Sequence, residues 1–191
     1  MISALPTCFL MLFGIFGAAN GWTDAHQTSV GCHESVSGLH NDLSRHRGCR
    51  GVPDQGKYST VRSLATLAYD CRRSEKFRAE LLDALRINER GDLTPAQMIG
   101  AWAGEVGQTQ FLPSTYLKFA VDFEGYGRRD LIHSALNALA STANYLKSYG
   151  WTKGQPWTEG AVNFGVLQKW NESGVYTKTV SYFATRLTKE P

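Results

Sequence analysis

Along the second part of this chain, apolar side chains return every three or four positions, the period of a helix with one buried face. Ser59 can cap a helix through residue 68, whose Val61, Leu64, Ala65 and Leu67 form a core-facing stripe. Ser74 starts a second helix over 74–90, with Phe77, Leu81, Ala84 and Leu85 at helical spacing and Gly91 as its stop. Thr94-Pro-Ala-Gln97 unites an N-cap, a proline at the first helical position and a capping-box glutamine, the signature of another helix start. Pro113 begins a helix carrying Tyr116, Phe119 and Ala120. Ser134 opens one with Leu136, Leu139, Ala140 and Ala143 on one side, and a last helix over 176–187 uses Val180, Phe183, Ala184 and Leu187. No strand pattern and no internal repeat emerges, so the expected class is mainly α.

The pattern fails before Gln55. Over 23–54 large apolar residues are sparse, Ser, Gly, His and Arg dominate, and neither helical nor strand period persists. His26, His33, His40 and His46 stand there beside Cys32 and Cys49, types that ligate zinc. Their spacings match no standard zinc motif, so residues 21–54 are expected to be poorly ordered and no metal is assigned. An evolved segment and a product of altered reading frame both account for the abrupt shift.

Further upstream, Leu10-Met-Leu-Phe-Gly-Ile-Phe16 is an apolar run followed by the small residues Gly17-Ala-Ala19. It reads as an export signal over 1–20, too short for a comfortable membrane span. Its first residues carry no Lys or Arg, and no lipoprotein box precedes Cys8. With Cys8 inside the signal, Cys32, Cys49 and Cys71 remain, an odd number that makes a poor disulfide framework. Cys32 with Cys49 is one pairing open to an oxidising compartment, and Cys71 at a helix end is expected to pack as a small apolar residue. At 191 residues the chain has room for one domain with its own core. Its net charge of +3 is too mild, and its basic residues too dispersed, to point to nucleic acid; a basic tilt suits an anionic polymer.

The most informative stretch is Gly100-Ala-Trp-Ala-Gly-Glu-Val-Gly-Gln-Thr-Gln-Phe-Leu-Pro113. Glycines let a backbone turn tightly and approach a ligand closely. Gln108 and Gln110 offer donors and acceptors, while Trp102 and Phe111 offer flat apolar faces. That set suits a neutral polyhydroxylated ligand with an apolar ring face, a sugar.

In residue order, this stretch and the following Ser-Thr-Tyr116 closely resemble the active-site loop of the B-type lytic murein transglycosylases. The likeness extends to Arg62-Ser-Leu-Ala-Thr-Leu-Ala-Tyr-Asp-Cys-Arg-Arg73, Ala120-Val-Asp-Phe-Glu-Gly-Tyr-Gly-Arg-Arg-Asp130, Ala140-Ser-Thr-Ala-Asn-Tyr-Leu146 and Gly150-Trp151. Asn163-Phe164, Trp170-Asn171 and Tyr176 continue it, so it covers 55–187 and not the residues before. It implies a lysozyme-like helical transglycosylase domain over 55–188, incomplete at its N-terminal side, and an exported, periplasmic protein acting on peptidoglycan glycan strands without a cofactor. The family cleaves the β-1,4 link between N-acetylmuramic acid and N-acetylglucosamine. One glutamate protonates the leaving oxygen and then serves as base while the sugar's 6-hydroxyl closes a 1,6-anhydro ring.

The resemblance also exposes a departure. Relatives carry the acid in a Gly-Val-Glu-Ser-x-aromatic-Gly type motif about ten residues before the equivalent of Gly56. Here that place reads Arg45-His-Arg-Gly-Cys-Arg-Gly51, without a carboxylate, so the catalytic residue is unassigned. Glu34, in Gly31-Cys-His-Glu-Ser-Val-Ser-Gly38, echoes the motif but lies further upstream and lacks its helical apolar context. Glu105 sits inside the sugar loop, where the resemblance assigns it no catalytic role, and Ala101 replaces a serine that relatives often have. The substrate-contacting residues that the resemblance implies are Arg72 and Arg73 for peptide carboxylates or acetamido groups, Gln110 as the loop amide, Tyr145 as a groove aromatic, and Asn171 with Tyr176 on the C-terminal side. Residues 122–130 resemble a calcium loop, but relatives commonly have a carboxylate where Tyr126 stands, so a metal-free turn is expected. The expected function is thus an impaired peptidoglycan lytic transglycosylase; the alternative is a non-catalytic peptidoglycan-binding remnant. A metal-binding or purely structural helical protein is a third class, supported only by the histidine-rich segment.

Overall fold

The computed structural model describes residues 56–70 and 72–189. The export signal, the 21–54 segment with Glu34, its histidines, Cys32 and Cys49, and the packing of Cys71 all lie outside the described residues, as does the Leu187 side chain. Six helices and two very short strands make up the described chain: β1 (Tyr58–Ser59), α1 (Thr60–Tyr69), α2 (Ser74–Glu89), β2 (Ile99–Gly100), α3 (Pro113–Phe119), α4 (Ala135–Ser148), α5 (Val162–Trp170) and α6 (Gly174–Lys189). The class is mainly α. Residues 56–141 and 142–189 fall into two compact units, the division lying within α4.

In the first unit α1 packs on α2 and α2 on α3. Ser59 caps α1, its hydroxyl accepting the Arg62 amide. Leu64 is fully buried and Val61 and Leu67 half-buried, but Ala65 is exposed. The inner face of α2 is rotated from the expected stripe: Glu80, Ala84 and Ile87 are buried, Phe77 and Leu81 half-buried, and Leu85 exposed. A carboxylate draws the helix to that face. Glu80 accepts the Ser114 amide at 2.9 Å and its hydroxyl at 2.7 Å, supplying the cap that Leu112, at the N-cap of α3, lacks.

Two expectations change here. Thr94-Pro-Ala-Gln97 forms its capping contacts, with the Thr94 amide donating to Gln97 Oε1 at 2.9 Å. Yet it closes only one turn before the chain becomes β2. β2 pairs antiparallel with β1, Tyr58 opposite Gly100 and Ser59 opposite Ile99, strands too short for any alternation to announce them. The pair matters because it fixes the entrance to the 100–113 loop.

Helix α4 opens at Ser134, whose hydroxyl accepts the Asn137 amide at 3.1 Å. It is buried on nearly every side, with Asn137, Ser141 and Thr142 alongside Leu139, Ala140 and Ala143, rather than along one stripe. Ser141 and Asn137 spend their side chains on the 121–124 backbone: Ser141 Oγ accepts the Val121 amide, and Asn137 Oδ1 accepts that of Phe123. In the second unit α5 packs on α6 through Phe164, Val166 and Leu167, with Val180 and Ala184 buried on α6. The apolar spacing had not pointed to α5. Asn163 ties its start to the preceding loop, accepting the Thr152 amide and donating to the Thr152 and Gln155 carbonyls, each at 2.9 Å.

Candidate functional site

Close backbone approaches and hydrogen bonds constrain the 100–113 loop of the first unit. At its entrance Gly100 lies so close to the backbone that an added Cβ would fall 1.7 Å from the Glu105 carbonyl oxygen. Thr60 Oγ1 donates to that same carbonyl at 3.1 Å. The Gly104 amide bonds the Ala101 carbonyl at 3.3 Å, closing a turn with Trp102 near its tip. Gly104 adopts φ +89°, and Leu64 packs where its Cβ would be; only glycine meets both demands. Beyond the turn, Val106 and Phe111 exchange backbone hydrogen bonds of 2.7 and 3.0 Å around a four-residue loop.

Gln110 closes that inner loop. Its amide donates to the Gly107 carbonyl at 3.1 Å, and its φ of +56° is the one positive φ at a non-glycine among the described residues. Such a conformation costs roughly 1–3 kcal/mol and persists only where surrounding structure enforces it. Gln110 is half-buried, with its side chain uncommitted to any hydrogen bond among the described residues. The other loop amide is not comparable. Gln108 is buried, its Nε2 donating to the Ile132 carbonyl at 2.9 Å and its backbone amide to Leu131 at 3.0 Å. Phe111 is only 1% exposed and Trp102 is 65% exposed. Of the two amides and two aromatic faces that the sequence offered, Gln110 and Trp102 therefore remain open to a ligand.

Glu105 is the loop's carboxylate. One oxygen accepts the Ala103 amide at 3.1 Å. Burial pushes its pKa above the usual glutamate value, and two backbone hydrogen bonds pull partly against that shift.

Arg72 and Arg73 precede α2 and are exposed, and Arg73 is its N-cap residue. No hydrogen bond or ion pair joins them to Gln110 among the described residues. In the second unit Tyr145, Asn171 and Tyr176 gather where α5 gives way to α6. Tyr145 is buried, donates its hydroxyl to the Lys169 carbonyl at 2.7 Å and meets the Trp170 ring edge-on at 5.1 Å. Burial, then neighbouring Tyr149, pushes its pKa up to about 12, so the phenol is a structural donor. Asn171 ends α5. Its Oδ1 accepts the Ser173 amide at 2.9 Å, and its carbonyl accepts Thr177 Oγ1. Tyr176 is half-buried in the first turn of α6, its amide bonded to Ser173 Oγ.

Three carboxylates are buried among the described residues, and the sequence had not marked any of them as buried. Besides Glu80, Asp92 pairs with Arg129 at 3.2 Å, and Arg129's carbonyl accepts the Tyr116 hydroxyl. Asp130 accepts the Ile132 and His133 amides and the His133 ring at 3.0 Å. Burial raises the Asp130 pKa, but those bonds outweigh it and hold the group below the usual aspartate value. The one available signal was Glu80's position in the apolar period of α2, three residues from Phe77 and four from Ala84.

The donor set of the 122–130 turn does not fit a calcium ion. Asp122 spends both oxygens on backbone amides, Oδ1 on Gly125 and Tyr126 and Oδ2 on Gly127. Glu124 accepts Ser134 Oγ. Asn137 Oδ1 serves Phe123 and Glu124 amides. Tyr126, where the resemblance implies a carboxylate, is a 76% exposed phenol.

Residues 53–162 match the family model described as a transglycosylase SLT domain. The chain belongs to that family. Within it, the resemblance is to the B-type lytic transglycosylases. Membrane-bound lytic murein transglycosylase B of Escherichia coli (strain K12) is 40% identical over 100 residues, 52% of this chain and 27% of that protein. The chain thus matches about a quarter of that relative's length. SltB3 from Pseudomonas aeruginosa, solved in complex with NAG-NAM-pentapeptide, is 28% identical with a TM-score of 0.74, covering 99% of this chain and 66% of that one. Slt35 of Escherichia coli, solved in complex with calcium, is 22% identical with a TM-score of 0.64, covering 94% of this chain and 76% of that one, a likeness of fold. Together they establish a lysozyme-like helical SLT domain. Among the described residues no helix is long and apolar enough to cross a membrane.

Proposed function

We propose that this SLT-domain protein, with residues 55–188 as its transglycosylase-like domain, binds the glycan strands of peptidoglycan in the periplasm. We further propose that it cleaves them poorly to 1,6-anhydro products. The observation that carries the reading is the locked 100–113 loop, which leaves Gln110 open within the family-matched region. SltB3, complexed with NAG-NAM-pentapeptide and in a second structure with NAG-anhNAM-pentapeptide, supports the ligand class. A neutral side-chain amide can donate to and accept from sugar hydroxyl and acetamido groups. Its pre-set backbone keeps the ordering cost of binding low. Within the second unit by itself, Asn171, Tyr145 and Tyr176 are proposed as glycan-contacting residues, Tyr145 through its ring because its hydroxyl is already committed. Arg72 and Arg73, exposed and forked, suit the carboxylates of the peptide stem.

Impairment rests on the sequence. Where the resemblance puts the general acid, residues 45–51 carry no carboxylate, and loss of a general acid typically lowers a rate by about 100- to 10,000-fold. Ground-state contacts come from other residues and survive that loss. The purified chain is expected to sediment with insoluble peptidoglycan, and Gln110→Ala plus Asn171→Ala to reduce that retention. Mass spectrometry of the supernatant should find little 1,6-anhydromuramoyl product. Robust product would refute impairment, and failure of the parent to sediment would refute binding.

A further inference from the structure

We propose that Trp102, held out by a turn that the Glu105 carboxylate staples, is a stacking platform for the apolar face of a pyranose ring in the glycan strand. The inference deepens the glycan-binding reading and rests on it. Trp102 is 65% exposed and makes no ring contact with another side chain among the described residues. A large apolar side chain left in water adds little to the fold. The backbone on both sides of it is nevertheless held at several points. Gly100 has no room for a Cβ beside the Glu105 carbonyl, and Leu64 fills the space beside Gly104. Thr60 holds the Glu105 carbonyl, and the Gly104 amide closes the turn onto Ala101. The peptide joining Trp102 to Ala103 has its own partner. Glu105 holds it by accepting the Ala103 amide at 3.1 Å. The turn thus presents an indole that makes no ring contact among the described residues, a platform with little conformational entropy left to lose on binding.

The chemistry of the loop selects the occupant. Over 100–113 Glu105 is the sole ionisable side chain, and its carboxylate is already committed to the turn. What faces outward is an aromatic surface and, eight residues later, the open Gln110 amide. An apolar face with a neutral donor and acceptor suits a sugar ring, which presents C–H bonds on one face and hydroxyl or acetamido groups at its rim. A charged peptide would find no complementary group on this loop. Glu105 acts here as a positioning residue.

Binding to insoluble peptidoglycan and thermal melting, measured together, test the proposal. Trp102→Ala is expected to weaken retention about tenfold, with Tm within about 2 °C of the parent, as for a surface side chain. Trp102→Phe should keep most of the retention, and Tyr126→Ala, which removes another exposed aromatic, should change nothing. Glu105→Ala should weaken binding with Trp102 still present, and Glu105→Gln, which keeps an acceptor for Ala103, should restore it. In the parent, peptidoglycan fragments should blue-shift tryptophan emission, a shift that Trp102→Phe abolishes. Equal retention of parent and Trp102→Ala overturns the proposal while leaving glycan binding intact. A Tm drop of many degrees in Trp102→Ala overturns it too, because the indole would then be packed within the protein. A parent that is not retained overturns the glycan-binding reading itself.

Discussion

Glu105 shows how one side chain acquires unusual chemistry from its surroundings. Burial raises its pKa, and a carboxyl raised on folding carries a penalty that is fully present above its folded pKa. The penalty is absent below the unfolded value, about 4.3 for glutamate. Stability from this group therefore falls as pH rises through that window. Glu105→Gln keeps an acceptor for the Ala103 amide and removes the charge. Its melting temperature should exceed the parent's at pH 7, with the gap closing as pH falls towards 4. Parallel melting curves at all pH values would show that the carboxylate bears no burial cost. Gln110 illustrates the opposite case, strain without charge: its left-handed backbone is enforced by the bridge between Val106 and Phe111.

Among the elements, α3 depends most on a distant partner. Its seven residues are too few to be stable alone. Its N-terminal cap comes from Glu80 on α2, 34 residues earlier. Replacing Glu80 by Ala leaves the Ser114 amide and hydroxyl without their acceptor and opens a gap between α2 and α3. A loss of about 1–3 kcal/mol is expected from urea unfolding. Glu80→Gln, which keeps one acceptor, should lose less. If both variants unfold at the parent's midpoint, the cap contributes nothing and α3 is held by its buried Pro113, Tyr116 and Phe119 alone.

At the scale of the molecule, the 122–130 turn decides whether stability is coupled to a metal. Three backbone amides converge on Asp122, whose carboxylate thereby closes the turn from within the protein. A ligand that binds only the folded state raises its stability. Millimolar calcium, compared with chelator, should therefore leave Tm unchanged. Asp122→Ala should lower it, by about 1–2 kcal/mol of stability for the lost charged acceptor. A rise of several degrees with calcium would show that the turn binds the ion despite Tyr126.

Local signals in the chain determined the helical class and most helix starts, because capping and apolar period act within a few residues. Ser59, Ser74, Pro113 and Ser134 all mark observed beginnings. The family resemblance likewise rests on residue order and needs no coordinates. Which face of a helix is buried did not follow: α2 turned to bring Glu80 to Ser114, leaving Leu85 outside. The β1–β2 pair and the single turn at Thr94 were also hidden, since each is closed by a partner distant in sequence or cut short by the next element. The loop shows the division most sharply. Its composition announced a sugar-like chemistry, with two glutamines and two aromatics on equal terms. Tertiary packing alone separated them: Gln108 is buried under the Ile132 carbonyl, 24 residues on, and Phe111 is buried in the core while Trp102 is left outside.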